Sequence, residues 1–183
     1  MSSAQVPART CFMVLILCSS FTPSNALAQT QAKLHTGRNE MEFDHEERTR
    51  TAVIFIPRKL QAPAEGWPFV LMLHGAGGSA RNVISSTGWS EKGDSAGFVT
   101  VFPNGTPKYE DRLESFTGNP QTWNSGTKES LSAGELSAST KNVDVVGFLS
   151  ELLGRIRHQV GIDPKRISVA GYSNGAEMAF RFG

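Results

Sequence analysis

Cysteine is nearly absent from this chain. Its 183 residues hold two, Cys11 and Cys18, both near the amino terminus. An excess of either charge is missing too: 18 Lys and Arg stand against 17 Asp and Glu. So balanced a chain lacks the bulk attraction that draws a protein to nucleic acid or an anionic membrane. No apolar run reaches the roughly 20 residues of a transmembrane helix. No histidine and no aspartate follow Ser173 in the closing stretch "NGAEMAFRFG". There are no internal repeats and no zinc-ligand spacing. Glycine, in contrast, is plentiful at 18 residues, which implies many tight turns.

The first 28 residues do not read as part of the fold. Arg9 is the only charge before Lys33. The apolar stretch "CFMVLILCSSF" follows, then the small-x-small site Ala26-Leu27-Ala28. A positive start, a short apolar segment and a small-residue site make a secretory signal peptide, cleaved after Ala28. The alternative is an uncleaved anchor. A lipoprotein signal is discounted, because Ile16 and Leu17 precede Cys18 where small residues belong. Cleavage removes both cysteines, and with them any disulfide, thiolate metal site or cysteine nucleophile. The mature protein is expected outside the cell, or in the periplasm of a Gram-negative host, free of the membrane.

Residues 29–39 are a polar lead-in, and 40–183 are the length of one domain. "TAVIFIP" is a β-branched strand stopped by Pro57, and "MEFDHEERTR" before it alternates like a hairpin partner. "FVLMLHG" and "FVTVFPNG" are continuous apolar runs, as in strands buried on both faces. Residues 76–97 suit one or two short helices. Residues 106–140 are polar and rich in serine and glycine, with Trp123-Asn124 as the one island of bulk. The spacing of Val145, Phe148, Leu149, Leu152, Leu153, Ile156 and Val160 predicts a long helix with one buried face, ended by Gly161. Asp163-Pro164 reads as a turn, and "RISVAG" as a strand. Strands alternating with helices imply an α/β fold, a mostly parallel sheet covered on both faces, with chemistry at the carboxyl ends of its strands.

Two such ends carry motifs. After "RISVA" comes Gly171-Tyr172-Ser173-Asn174-Gly175, a serine flanked by glycines on a strand-to-helix turn. That turn projects a nucleophilic hydroxyl, and the helix beginning at Asn174 aims free amides at it. After "FVLML" comes His74-Gly75-Ala76-Gly77-Gly78, a loop able to supply the first oxyanion-binding amide. Ala76 and Asn174 are the expected amide donors, with Gly77 as the alternative to Ala76. His74 is expected to buttress its loop by hydrogen bonds and not to act as the base. His158 reads as a surface residue near a helix end. Trp123 is a candidate for stacking on substrate, with a local packing anchor as the other reading. Asn104-Gly105-Thr106 is a glycosylation sequon, meaningful only in a eukaryotic secretory pathway.

The segments "VLMLHGAGGSA", "GFVTVFPNG", "TWN", "VDVVGF" and "GIDPKRISVAGYSNGAEMAFRF" occur in this order. In this the chain resembles secreted polyhydroxybutyrate depolymerase-like and feruloyl esterase-like hydrolases. These are α/β-hydrolases related to carbohydrate esterase family 1. The resemblance covers residues 42–183. It implies an α/β-hydrolase fold with Ser173 as nucleophile, no metal or organic cofactor, and a polymeric or oligomeric ester substrate. Two departures stand out. The pair after Asp144 is Val145-Val146 where the family tends to an Asp, and Ala176 replaces a frequent glycine, which bears on how closely that helix packs.

In the α/β-hydrolase order the acid and then the histidine follow the serine. Here all four histidines, His35, His45, His74 and His158, precede it. The expectation is a longer hydrolase, truncated here after the nucleophile elbow, whose acid and base lie past Gly183. On its own the chain is expected to be unstable and inactive. The ester is expected to be hydroxyalkanoate polyester, or feruloyl or acetyl esters of plant polysaccharide. A secreted serine peptidase of the same fold and a non-catalytic binding remnant are the alternatives.

Overall fold

The computed structural model describes residues 33–58, 60–127 and 137–183. The expected signal peptide, 1–28, lies outside the described residues. Strand β1 (Gly37–His45) and strand β2 (Arg48–Ile56) form an antiparallel hairpin. The expected hairpin partner is therefore found, and β1 starts inside the segment read as polar lead-in. The connecting residues Glu46 and Glu47 both sit at φ 49°. That is the left-handed geometry a two-residue turn needs to match strand twist.

Strand β3 (Trp67–Leu73) leads to helices α1 (Ala80–Thr87) and α2 (Trp89–Ala96), then to strand β4 (Val99–Pro103). Two short strands, β5 (Thr106–Pro107) and β6 (Gln121–Thr122), pair in the polar segment. Helix α3 (Val145–Gln159), strand β7 (Ile162–Gly171) and helix α4 (Asn174–Phe182) follow. The main sheet runs β1-β2-β4-β3-β7. β4, β3 and β7 are parallel, while β2 is antiparallel to both β1 and β4. The mostly parallel expectation thus holds on one side of the sheet only. A two-residue hairpin forces β1 and β2 antiparallel.

Side chains alternate across the sheet with the period of two that a pleat imposes. Ala52, Ile54, Phe69, Leu71, Val99 and Val101 face one core with α3 and Met178 of α4. Val53, Met72 and Phe102 face the other with Ala80 and Val83 of α1. Helices therefore cover both faces. In α3, Val145, Phe148, Leu149, Leu152 and Ile156 are buried and Leu153 partly so, as is Val160 just past its end. Each such side chain contributes about 1.5–3 kcal/mol on burial. Asp144 caps the helix by accepting from the Gly147 amide at 2.9 Å. The strand after α3 starts at Ile162, not at Arg166. Trp67 pairs with Ile162 and Phe69 with Ile167, so the Asp163-Pro164 turn is a bulge inside β7. Asp163 ties it by accepting from the Lys165 amide (2.9 Å) and Arg166 Nε (2.6 Å).

Thr100 lies wholly buried in β4, and its Oγ1 has no hydrogen-bond partner among the described residues. An unsatisfied buried hydroxyl costs about 1–3 kcal/mol. Thr100→Val is therefore expected to raise unfolding stability by about 1 kcal/mol, read as a higher urea midpoint at unchanged slope.

Candidate functional site

β7 ends at Gly171, and the chain turns through Tyr172 and Ser173 before α4 begins at Asn174. The Gly175 amide donates to the Tyr172 carbonyl at 2.9 Å, closing a four-residue turn. Ser173 sits at φ 52°, ψ −125°. Those angles belong to the first central position of a type II′ turn, which glycine normally fills. A serine there stores about 1–3 kcal/mol of backbone strain. Ser173→Gly is expected to relax it, raising stability by about 1 kcal/mol in a thermal melt.

Both flanking glycines are sterically required. A β-carbon on Gly171 would collide with the Gly175 carbonyl, and one on Gly175 with the carbonyls of Leu73 and His74. The first turn of α4 thus lies directly on the ends of β7 and β3. This contact brings the two sequence motifs together. Ser173 is exposed and shares a cleft of about 670 Å³ with His74, Gly75, Ala76 and Gly78. Ala176 points to solvent, so it does not narrow the helix packing.

Ala76 is half-buried at the cleft, and its amide donates to no group among the described residues. The same holds for the Asn174 amide, first in α4, where the helix dipole adds positive potential. Gly77, the alternative to Ala76, has its amide committed to the Gln121 carbonyl at 2.8 Å. A left-handed φ of 82° at Gly77 turns that amide away to β6.

His74 is buried, and both ring nitrogens are engaged. Nδ1–H donates to the Gly75 carbonyl (2.7 Å), and Nε2 accepts from the Gly105 amide (2.9 Å). That pair of bonds requires the neutral Nδ1–H tautomer. Burial pushes the imidazole down to about 4. His74 buttresses its loop and has no free nitrogen for proton abstraction. The chain neighbours of Gly105 are held by Arg50, whose guanidinium donates to Thr106 Oγ1 (3.1 Å) and to the Asn104 carbonyl (3.3 Å). His45 is occupied elsewhere, with Glu151 (2.8 Å) and Asp144 (3.3 Å). His158 is exposed in the last turn of α3.

Trp123 corrects the expectation of substrate stacking. It is completely buried, its Nε1–H donates to the His74 carbonyl (2.7 Å), and its ring lies 4.7 Å from that of His74. It is a packing anchor beneath the loop, with no face open to a ligand. Asn104, the sequon residue, is engaged on both sides of its carboxamide: Nδ2 donates to Thr51 Oγ1 and Oδ1 accepts from the Ala80 amide, which joins β2 to α1.

Sequence reasoning missed the second role of Asn174. Its buried side chain accepts from the Trp123 amide (2.8 Å) and donates to Ser125 Oγ and Glu177 Oε2 (both 3.3 Å). Hydrogen bonds from Ser125, then Asn174, hold the Glu177 carboxyl below its ordinary range. Glu177 is thus tied to the 125–127 segment. Among the described residues no cluster of three His, Cys, Asp or Glu fits a metal ion, and no helix is long and apolar enough to cross a membrane.

No protein-family model matches the sequence, and no curated protein sequence matches it significantly. Solved structures do match. An S-formylglutathione hydrolase from Agrobacterium tumefaciens superposes with a TM-score of 0.54 at 20% identity, over 82% of this chain and 54% of that one. A cold-adapted esterase from an Arctic intertidal metagenomic library gives 0.52 at 13% identity, over 84% and 58%. The fold is that of an α/β-hydrolase. The acetyl xylan esterase from Aspergillus awamori gives 0.51 at 14% identity, over 79% and 46%. At these identities the likeness is one of fold, and the chain spans about half the length of the α/β-hydrolases it matches.

Proposed function

We propose that this chain carries the nucleophile and oxyanion hole of a secreted serine carboxylic-ester hydrolase. The observation that supports this best is the exposed Ser173, held at a strained turn position on a cleft that Ala76 also lines, with the amides of Ala76 and of the adjoining Asn174 uncommitted among the described residues. Ser173 Oγ attacks the ester carbonyl carbon as a base takes its proton. The amides bind the developing oxyanion. The alcohol departs, leaving an acyl-serine that water hydrolyses. The chemistry calls for no cofactor. The base and its acid come from outside the described residues, since His74 is committed on both nitrogens and His45 to two carboxylates. Residues 1–28 direct export.

The test compares this chain with the gene product read through past codon 183, both assayed on p-nitrophenyl butyrate. The 183-residue chain is expected to show near-background turnover, because loss of a triad member costs on the order of a millionfold. The longer product is expected to hydrolyse the ester, and Ser173→Ala to abolish that. Full activity in Ser173→Ala would remove Ser173 as nucleophile. Turnover by the 183-residue chain that disappears in Ser173→Ala would place the base within it.

A further inference from the structure

The two loops of the cleft stand on a common footing. Residues 121–123, strand β6 and the tryptophan after it, bond to both. On one side they hold the glycine loop at two points. The Gln121 carbonyl accepts from the Gly77 amide at 2.8 Å, and the Trp123 indole Nε1–H donates to the His74 carbonyl at 2.7 Å. Gly75 and Ala76 lie between those points. On the other side they hold the start of α4. The Trp123 amide donates to Asn174 Oδ1 at 2.8 Å, and Asn174 Nδ2 donates back to the Trp123 carbonyl at 3.3 Å. Trp123 therefore bonds to one loop through its ring and to the other through its main chain.

The reciprocal pair needs a carboxamide. An acceptor and a donor side by side copy a peptide group, so Asn174 meets Trp123 as a neighbouring strand would. The side chain is buried, at 4% exposure. Ser173, the N-cap residue of α4, makes no side-chain cap bond. Its hydroxyl cannot cap the helix and serve the cleft at once. The close contact of Gly175 with the end of β3 limits how near α4 can come, but leaves rotation about the helix axis open. Directional hydrogen bonds from a planar side chain restrict that rotation.

We propose that Asn174 and Trp123 are positioning residues, a brace that fixes the Asn174 amide relative to the Ala76 amide. The proposal rests on the reading of Ser173 as nucleophile, which gives those two amides a shared target. Two donors hold one oxyanion only when they converge, and a misplacement of about 1 Å costs about a hundredfold in rate. Neither the elbow nor the glycine loop sets that convergence alone.

Two variants cut the brace at opposite ends, and amide nitrogen shifts in NMR spectra of the 183-residue chain read the result. Trp123→Phe keeps the main-chain pair with Asn174 and removes the indole bond to His74. It is expected to shift Ala76 and leave Asn174 in place. Asn174→Asp keeps the acceptor for the Trp123 amide, but when ionised it has no donor for the Trp123 carbonyl. The charged and titratable groups around this position are Glu177 and Arg181 of α4 and His74 beneath the glycine loop. Burial and the Glu177 carboxylate are expected to push the introduced carboxyl above its ordinary range. That separates it from folded His74, which burial holds down to about 4. Protonation restores a donor. The Trp123 amide, the Trp123 indole and the Ala76 amide are therefore expected to titrate with a shared midpoint between pH 8 and pH 5, approaching their parent positions at the acid end. An Ala76 amide that stays in place in both variants would overturn the brace.

Should the variants not fold, hydrogen exchange in the parent chain decides. The Trp123 amide and indole protons are expected to exchange slowly and with the same urea dependence, through a shared opening. A fast amide beside a slow indole would overturn the pairing with Asn174. In the product read through past codon 183, Trp123→Phe is expected to lower kcat on p-nitrophenyl butyrate roughly ten- to hundredfold, with KM changed by less than about threefold. An unchanged kcat, or an effect confined to KM, would overturn the brace. Spectra that behave as stated, in a longer product without Ser173-dependent hydrolysis, would sink the nucleophile reading and leave the brace standing.

Discussion

Gly175→Ala is expected to destroy the cooperative unfolding transition of this protein. The added methyl would meet backbone on two sides: the Leu73 carbonyl oxygen at 2.5 Å, and the His74 carbonyl closer still. These atoms belong to the end of β3 and cannot yield as a flexible side chain can. Relief requires α4 to lift off the sheet. That would expose Met178, strip the Trp123 amide of its acceptor on the Asn174 side chain, and open the Ser173 turn. Overpacking costs about 1–3 kcal/mol where side chains can shift, and reaches or passes the top of that range where backbone blocks relief. That is a large share of the 5–15 kcal/mol typical of a domain. Gly154 makes the matched control. It lies inside α3, and a β-carbon there meets nothing within 4 Å. Gly154→Ala is expected to stabilise by about 0.5–1 kcal/mol, since alanine restricts the unfolded chain and favours helix. Urea melts monitored by circular dichroism read both variants. A Gly175→Ala protein that melts like the parent would show that α4 does not pack as described.

The second large effect is the pH dependence that His74 imposes. An imidazole in the unfolded chain binds a proton near pH 6.5, whereas burial holds folded His74 down to about 4. Between those values the unfolded state carries more protons, so stability rises with pH through this window. Above it the ring is neutral in both states and contributes no slope. On acidification the protein is expected to lose about 2 kcal/mol from this group between pH 7 and pH 5. Carboxylates held low by their partners, such as Glu177 and Asp163, lose their contribution at lower pH, as the medium falls through the carboxylate range. His74→Gln keeps an acceptor for the Gly105 amide and removes the titration. Its stability is expected to be lower at pH 7 and much flatter between pH 7 and pH 5. Equal slopes in the two proteins would mean that His74 is not buried neutral. The same measurement bears on chemistry. A ring that stays neutral and doubly hydrogen-bonded fixes the loop presenting the Ala76 amide.

How much of this was legible depended on the range of the interactions involved. The α3 helix was readable from its apolar spacing, although its cap, Asp144, emerged only in the structure. The glycines of the elbow were readable because their requirement is steric and falls within five residues. The strands β3 and β4 announced themselves as apolar runs. The bulge in β7 was not readable, because "DPKR" shows a turn in sequence whether or not a neighbouring strand continues past it. Trp123 was the clearest misreading. In a polar, serine-rich stretch it resembled an exposed ligand contact. Its burial depends on His74 and on Asn174, 49 and 51 residues away in the chain. Asn104 fits a sequon pattern, and its carboxamide also bridges Thr51 and Ala80. No local pattern encodes that bond.

By itself the sequence determined the alternation of strands and helices, the strained serine turn and the glycine loop, because each follows from backbone sterics and short-range periodicity. Tertiary structure alone decided that the two loops share one cleft. It alone left Ala76, and not Gly77, with a free amide, and supplied the Gly75 and Gly105 partners through which His74 buttresses its loop as expected. It also paired the Asn174 side chain with the buried Trp123. Each of these outcomes is a competition between distant groups for the same hydrogen bond or the same volume, and such a competition is settled only when the sheet brings those groups into contact.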